Sequence, residues 1–210
     1  MARYTGPRCR ICRRNGTKLF LKGQKCFGAK CILERRNSPP GQHGIGKRRK
    51  KTSNYGIQLR EKQKLRNYYG MLEKQLKIFF KRAVKKKGVT GDNLLRMLEL
   101  RLDNIVYRLG FASTKSMARQ WVCHGHFIVN GKRVDIPSYI VKEKDIIEVV
   151  AKEKVRARIK ETLEITASWE VPDWLSIDRK AMKGAILKEP EKDDITVPAN
   201  EQLVVELYSR

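Results

Sequence analysis

Acidic residues are nearly absent from the first part of this sequence. Residues 1–91 carry three Asp and Glu against 27 Lys and Arg, a net charge of +24, whereas residues 92–210 carry 19 against 20, a net charge of +1. A surface that only has to be soluble mixes both signs, and so concentrated a positive charge repels itself. Nucleic-acid phosphates would neutralise it and release counterions on binding. The charge distribution therefore predicts a nucleic acid as the partner.

Long hydrophobic runs and membrane signals are missing as well. No apolar run approaches the roughly 20 residues needed to cross a bilayer, and neither a lipidation motif nor a long amphipathic anchor is present. No apolar signal-peptide region follows the basic N-terminus. We therefore favour a nucleic acid over an anionic membrane, the alternative polyanion, and expect the chain to stay in a reducing, cytoplasmic compartment.

Motifs of catalysis are not found. The sequence has no nucleotide-binding glycine motif, no His-containing metalloprotease motif and no nucleophile elbow. The run Gly44-Ile45-Gly46-Lys47 has neither the spacing nor the Ser or Thr of a phosphate-binding loop. Because the distinctive features of the chain all serve binding, we predict that the protein is not an enzyme.

Four of the five cysteines fall within 23 residues, at Cys9, Cys12, Cys26 and Cys31. Clustered cysteines in a reducing compartment indicate a metal site, because disulfides are disfavoured there. Two close pairs on either side of a short loop are typical of four thiolates around a tetrahedral Zn²⁺. We predict one structural zinc ion that holds together residues 1–45, which have too few apolar residues for a core of their own. An iron–sulfur cluster and four unrelated thiols are the alternative interpretations.

The run Cys123-His124-Gly125-His126 suggests a second metal site, which we reject. Free cysteine is commonly buried in the core, and this run straddles the predicted end of a helix, where the side chains diverge. We expect His124 and His126 to face RNA or solvent.

Hydrophobic periodicity predicts helices near both ends of the chain. Residues 54–87 have apolar positions at three- and four-residue spacing and one basic face, with a break near Gly70. Only two acids, Glu61 and Glu73, lie in this stretch, so we interpret the basic face as a phosphate-binding surface and not as an ordinary solvated face. Residues 201–210 have the same helical spacing, with Asn200 as a cap.

The middle of the chain predicts two further helices. Residues 92–109 read as one helix with a continuous apolar stripe, ended by Gly110. A second helix, capped by Ser113 or Thr114, is predicted to run to Gly125.

A change of period from helical to alternating spacing predicts strands after Gly125. Asn130-Gly131 lies between two short β-rich runs and is typical of a type I′ hairpin turn, whose two central residues need positive φ. A further strand is predicted over residues 145–150. Residues 152–164 fit a helix or a strand, and the pattern does not decide between them.

Several short motifs in this middle region resemble a known module. They lie at Arg101–Asp103, Gly110–Ser113, Ala118–Gln120, His124–His126 and Val129–Val134. Together they resemble the S-four RNA-binding domain, a helix–helix–hairpin module of ribosomal and RNA-modifying proteins. Four other segments resemble the bacterial-type small-subunit ribosomal protein S four family, namely Met1–Pro7, Pro39–Gly44, Gln63–Gly70 and Leu203–Arg210. The four clustered cysteines match the zinc-bearing version of that family.

The resemblance implies an α+β fold in which the S-four domain is inserted into a helical domain. Residues 1–45 would form a zinc-binding basic extension, and residues 46–91 a helical domain completed by a C-terminal helix over 199–210. Residues 92–198 would form the S-four domain with its extension, around a core of residues 99–163.

The resemblance also implies a function. A member of this family would be a structural ribosomal protein that binds the 5′ domain of small-subunit rRNA and nucleates subunit assembly. Its partners would be ribosomal protein S five and other small-subunit proteins. Together with ribosomal protein S five it would influence translational accuracy. It would act on a cytoplasmic ribosome; an organellar ribosome is the alternative that the sequence leaves open.

Duplex RNA is recognised mostly through its shape, phosphates and 2′-hydroxyls, so we expect basic and polar side chains on rigid elements to make the contacts. The candidate RNA-binding residues are Arg3, Arg8, Arg10, Arg13, Arg14, Lys47, Arg48, Arg49, Lys50, Arg60, Lys62, Arg66, Arg101, Lys115, Arg119, His124, Asn130, Lys132 and Arg133. For Arg101 the alternative is an internal ion pair with Asp103. Lys115 and Arg119 are four residues apart and so share one helical face, which we expect to contact RNA.

Two other functions are compatible with parts of the pattern. An RNA-modifying enzyme with an appended S-four domain would need a catalytic domain with an active-site acid, and residues 1–91 offer almost no carboxylates. A zinc-finger DNA-binding regulator would have a compact, two-fold symmetric basic surface, whereas the basic surface predicted here is broad and asymmetric.

Overall fold

The computed structural model describes residues 4–45 and 52–209. The chain divides into two compact units. The N-terminal unit consists of Met1–Leu94 with Thr196–Arg210, and the central unit of Leu95–Ile195.

Helices and strands of the described residues follow in this order along the chain: α1 (Arg8–Asn15), α2 (Ile32–Arg35), α3 (Asn54–Tyr68), α4 (Glu73–Val84), α5 (Thr90–Glu99), α6 (Leu102–Arg108), α7 (Lys115–Cys123), β1 (Phe127–Val129), β2 (Lys132–Arg133), β3 (Ile146–Val149), α8 (Glu153–Ile165), β4 (Leu175–Asp178), β5 (Lys183–Ile186) and α9 (Glu201–Tyr208). Short 3₁₀ turns lie at Gly23–Cys26 and Gln42–Ile45.

Helices α3 and α4 both contribute buried side chains to the N-terminal unit. The Ser53 hydroxyl caps α3 by accepting from the backbone N–H of Gly56 at 3.2 Å, which satisfies a donor at the helix start. The chain reverses at Gly70, where φ is +62°, a conformation that glycine adopts without strain. Leu65 of α3 and Leu76 of α4 are both fully buried.

Helix α9 packs on α3, more than a hundred residues away in sequence. The Asn200 side chain caps it as predicted, accepting from the backbone N–H of Gln202 at 2.9 Å. Gln58 donates to Glu206 at 2.8 Å, and the Tyr208 ring stacks on Phe80 with centroids 4.7 Å apart. The end of the chain is thereby built into the N-terminal unit.

The central unit is an antiparallel sheet with the strand order β2-β1-β3-β5-β4, packed against helices. Its core includes Ile105, Phe111, Phe127 and Trp174, each at most 1% exposed. The mixed α+β fold predicted from the sequence is thus confirmed.

The hairpin between β1 and β2 has the predicted turn. Asn130 and Gly131 have φ values of +49° and +76°, as a type I′ turn requires. The Thr114 hydroxyl accepts from the N–H of Met117 at 3.2 Å, so Thr114, one of the two candidates, is the residue that caps α7.

The single helix predicted over residues 92–109 is wrong. Helix α5 ends at Glu99 and α6 begins at Leu102, with the backbone extended between them. The N–H of Val141 donates to Leu100 O at 2.9 Å, and the N–H of Leu102 donates to Tyr139 O at 2.8 Å. These long-range hydrogen bonds replace the helical ones, and nothing in the local apolar spacing reveals them.

The secondary structure of two other parts of the central unit was left open or not predicted from the sequence. The segment that fitted either a helix or a strand is helix α8, whose buried residues Ile159, Thr162 and Leu163 lie on one face. Strands β4 and β5 were not predicted. Gly184 of β5 packs against Leu109, because a Cβ at Gly184 would lie 2.5 Å from a Leu109 methyl group.

Candidate nucleic-acid interface

The most continuous run of exposed cations lies on α3 and α4 and just after α4. The run includes the exposed Lys86 and Lys87, together with a set of six further exposed side chains, namely Arg60, Lys74, Lys77, Lys81, Arg82 and Lys85. We call this set the basic face. Because both helices are anchored in a core, the basic face is held on rigid elements, as expected for a surface that binds phosphates.

Two cations predicted for the same surface are turned inward. Lys62 is 9% exposed and its Nζ donates to Glu73 Oε1 at 2.8 Å. Arg66 is half-buried and donates to Asn67 Oδ1 at 3.3 Å. Burial alone would raise the pKa of Glu73, but hydrogen bonds from Lys62 and Tyr208 outweigh it and lower the pKa. The charge of Lys62 is thus paired inside the fold, and the expectation that Lys62 contacts RNA stays a prediction.

The arginines of α1 fall into two groups. Arg8 donates to Leu21 O at 3.3 Å, and Arg13 donates to Ser38 O at 2.8 Å. Both therefore stabilise the loops around α1. Arg10 and Arg14 are exposed on the same helix. The candidates Arg3, Lys47, Arg48, Arg49 and Lys50 lie outside the described residues.

The four clustered cysteines are all partly buried and close enough to influence one another. Burial raises the pKa of Cys12; a hydrogen bond from Leu19 opposes this, and the charges of Cys26, Cys9 and Cys31 raise the pKa further. The Cys26 Sγ accepts from the backbone N–H of Lys22 at 3.4 Å. Among the described residues, no three His, Cys, Asp or Glu side chains are grouped tightly enough to hold a metal ion.

The Arg101 side chain is buried within the central unit. It is 1% exposed, and its guanidinium donates twice to Asp103, at 2.9 and 2.6 Å. Arg119 donates to the same carboxylate at 3.1 Å. The internal ion pair, which the sequence left as an alternative for Arg101, is the arrangement in the structure. An RNA contact of Arg101 stays a prediction, and it would require this pair to open.

The Lys115 ammonium is buried and lies 5.5 Å from the centre of the Tyr107 ring. Burial lowers its pKa well below the ordinary value, and the Glu99 carboxylate only partly opposes this. Glu99 itself accepts from Arg108 at 2.9 Å. Lys115 therefore belongs to a buried network of charged groups in the central unit. Its expected RNA contact stays a prediction, and it would require the ammonium to leave this network.

Because of this burial, replacing Lys115 and Arg119 of α7 by glutamate would test the stability of the central unit and not its contact with RNA. Lys115 is enclosed, and Arg119, whose side chain is 16% exposed, is committed to Asp103. Glutamate at these positions would disrupt the buried network, so a loss of RNA binding in such a variant would reflect unfolding.

The hairpin end of the central unit presents polar and basic side chains to solvent. His124, Lys132 and Arg133 are exposed, and Arg133 donates to His124 O at 3.1 Å. The Asn130 amide is used internally: it donates to Asp145 Oδ1 at 2.8 Å and accepts from the N–H of Ile146 at 2.9 Å. Asn130 therefore shapes the turn that carries Lys132.

An exposed aromatic ring near the cysteines was not among the sequence candidates. Phe27 is 60% exposed and stacks on Phe20 with centroids 4.8 Å apart. The neighbouring Lys22, Lys25 and Lys30 are exposed. An aromatic residue interspersed with lysines in a glycine-rich loop is the signal that could have identified this position, because bases stack on such rings.

Within the described part of the chain, no helix is both long and apolar enough to span a bilayer. Separately, a broad distribution of exposed cations on rigid helices is typical of a nucleic-acid-binding surface.

Models of two protein families match the chain. The model described as ribosomal protein S4/S9 N-terminal domain matches residues 3–99, and the model described as S4 domain matches residues 100–147. The two matches adjoin and together cover most of the chain.

Full-length relatives are similar to the chain from end to end. The small ribosomal subunit protein uS4 of Geotalea daltonii is 58% identical over 210 residues, which is 100% of both chains. That of Geotalea uraniireducens is 57% identical over the same span. The small ribosomal subunit protein uS4A of Myxococcus xanthus is 54% identical, again over 100% of both chains.

Proposed function

The chain belongs to the uS4 family of small ribosomal subunit proteins, and on this premise we propose that it binds small-subunit rRNA directly through the basic face of α3 and α4. Membership of a family of structural ribosomal proteins confirms the prediction that the chain is not an enzyme. The alternatives of an RNA-modifying enzyme and a DNA-binding regulator no longer apply.

The observation that carries this proposal is the exposure of the N-terminal charge. The cations of the basic face point to solvent, while the carboxylates of Glu61 and Glu73 are occupied by Lys64 at 2.6 Å and Lys62 at 2.8 Å. The exposed cations therefore keep their charge available to phosphates. Their neutralisation by RNA releases counterions, which is the main source of sequence-independent affinity.

Membership of the uS4 family also supports a proposal for the role of the protein in subunit assembly and in translation. The protein would bind the 5′ domain of the rRNA early and nucleate subunit assembly on a cytoplasmic ribosome. It would contact ribosomal protein S five and so influence translational accuracy. Support for these parts comes from the resemblance of the whole chain to the family.

Purified protein should bind a small-subunit rRNA transcript in preference to a large-subunit transcript of similar length. Non-specific charge attraction acts equally on both RNAs, so a preference that survives a moderate salt wash indicates a shaped site. Filter binding at several salt concentrations measures this, and co-sedimentation with isolated small subunits extends it to the assembled particle. Equal affinity for the two transcripts would contradict the proposal.

Zinc binding by the four clustered cysteines is proposed as a separate feature. The residues that would hold the ion are Cys9, Cys12, Cys26 and Cys31. Four cysteine sulfurs are the ligand set that a structural Zn²⁺ prefers, and the backbone N–H of Lys22 already donates to Cys26 Sγ at 3.4 Å, a hydrogen bond that would orient that ligand. When bound, zinc would cross-link α1 to the turns around it, a segment that otherwise has little core.

Elemental analysis should find one zinc ion per purified chain. The variant with Cys26→Ser and Cys31→Ser should contain none, because two ligands are lost, whereas Cys123→Ser should keep the full zinc content. Chelation should disorder the α1 region and leave the central unit folded, which proteolysis would show. A chain without metal, or a double variant with unchanged zinc, would contradict the proposal, and bound iron would favour the iron–sulfur alternative.

A further inference from the structure

A pocket of about 380 Å³ opens in the N-terminal unit, beside the exposed side of α1. It is lined by Tyr4, Arg10, Ile11, Arg14, Asn15, Pro40 and Asn67. The lining combines two guanidinium groups, one aromatic ring, two amides and two aliphatic side chains, and it includes no carboxylate. Its volume is in the range of sites that enclose small ligands.

The two arginines give this pocket an anion-binding wall. Arg10 and Arg14 lie one helical turn apart on α1, and so on the same face. Both are exposed. Arg13, between them in sequence, donates instead to Ser38 O at 2.8 Å. A guanidinium pair with this spacing suits a phosphate group, whose oxygens accept two parallel hydrogen bonds from each planar fork.

The ring of Tyr4 gives the pocket a stacking surface. Tyr4 is 45% exposed and lies against Gly6, where a Cβ would meet the Tyr4 Oη at 2.6 Å. Glycine at this position therefore lets the ring settle against the backbone. A ring that is supported in this way loses little further freedom when a flat ligand stacks on it.

The two amides offer complementary hydrogen-bonding groups. Asn15 uses its Nδ2 to donate to Ile11 O at 3.0 Å, which leaves its Oδ1 as an acceptor. Asn67 uses its Oδ1 to accept from Arg66 at 3.3 Å, which leaves its Nδ2 as a donor. One acceptor and one donor can together form hydrogen bonds with the edge of a nucleobase.

We propose that this pocket binds one unpaired nucleotide of the rRNA, with its base against Tyr4 and its phosphate at Arg10 and Arg14. The inference rests on the proposed rRNA binding and deepens it. Paired bases are stacked inside the helix and cannot enter a pocket, whereas an unpaired base can be extruded, stacked on an aromatic ring and hydrogen-bonded along its edge. The protein then recognises a particular junction or bulge, which phosphate contacts alone do not distinguish.

The first test compares two tyrosines of the full-length protein on the same small-subunit rRNA transcript. Tyr4→Leu should weaken binding about fivefold or more, since loss of one base–aromatic stack typically costs at least this factor. Tyr55→Leu is the matched control, because Tyr55 is 53% exposed and does not line the pocket; it should change affinity less than about twofold on the same scale. Circular dichroism checks that both variants fold.

Chemical probing of the transcript identifies the nucleotide itself. In the wild-type complex, one unpaired base should be protected along its hydrogen-bonding edge. Protection should be lost with Tyr4→Leu and retained with Tyr55→Leu.

A second comparison distinguishes an effect of the pocket arginines from the general effect of losing two positive charges. Two double variants each remove two exposed arginines of the N-terminal unit. The first carries Arg10→Gln and Arg14→Gln, and the second carries Arg35→Gln and Arg36→Gln. Only the first pair should restore reactivity of the protected base. Suppose that the wild-type protein binds the transcript, that the two arginine double variants give the same protection of the base, and that the two tyrosine variants have the same affinity. The pocket inference is then overturned while the proposed function stands. If wild-type protein does not bind the transcript, the proposed function itself fails.

Discussion

Asp103→Asn should lower the free energy of unfolding of the central unit by about 3–5 kcal/mol, the usual consequence of removing one partner of a buried ion pair. Asp103 is 4% exposed and accepts from both Arg101, which is 1% exposed, and Arg119. Asparagine keeps the shape of the side chain but removes its charge. The Arg101 guanidinium would then stay buried without the Asp103 charge, and burial keeps water from replacing that interaction.

Tryptophan fluorescence during denaturant unfolding measures this change. The three tryptophans, Trp121, Trp169 and Trp174, all lie in the central unit, so the signal reports on that unit. Asp135→Asn serves as the control, because Asp135 is exposed and the substitution should shift stability by less than about 0.5 kcal/mol. Equal unfolding midpoints for the two variants would show that the buried network does not stabilise the unit.

The second large effect concerns the salt dependence of RNA binding. Replacing the six cations of the basic face by glutamine should make the plot of log affinity against log salt concentration shallower by roughly 4–5, since each lost phosphate contact removes roughly 0.7–0.9 from the slope. Six such contacts correspond to roughly 10³ in affinity between 50 and 200 mM salt. Affinity at low salt should therefore fall steeply, and affinity at high salt much less.

A charge-matched control comes from the central unit. Six exposed cations there can be replaced by glutamine in the same way, namely Lys142, Lys152, Lys154, Arg156, Arg158 and Lys160. This variant loses the same total charge, but its unit carries almost balanced charge, so its salt slope should change much less. Filter binding to one transcript over a salt series measures both. Identical slopes for the two variants would show that the basic face has no special part in binding.

Local patterns were sufficient for the features that depend on neighbouring residues. Asn130-Gly131 predicts a turn with two positive φ values because few other residue pairs adopt them without strain, and the structure has that turn. Thr114 and Asn200 were recognisable as caps because the donors that they satisfy lie within the next three residues. The excess of positive charge in residues 1–91 is likewise a property of composition alone.

The accessibility of each charge, in contrast, depended on partners far away in sequence. Lys62 is neutralised within the fold by Glu73, whose carboxylate also accepts from Tyr208 at 2.9 Å. Arg101 lies in a segment whose backbone pairs with residues 139–141, and this pairing also interrupts the predicted helix.

Composition and local patterns were therefore enough to predict a nucleic acid as the class of partner, the secondary structure near strong turn and cap signals, and a cluster of four cysteines. Tertiary structure alone decided which cations face solvent: Arg60 does, while Arg101 and Lys115 are enclosed. The physical reason is that a charged side chain has the same local signature whether it is hydrated or buried. Only the free energy of burial, offset by a counter-charge or a ring brought in by the fold, separates the two outcomes.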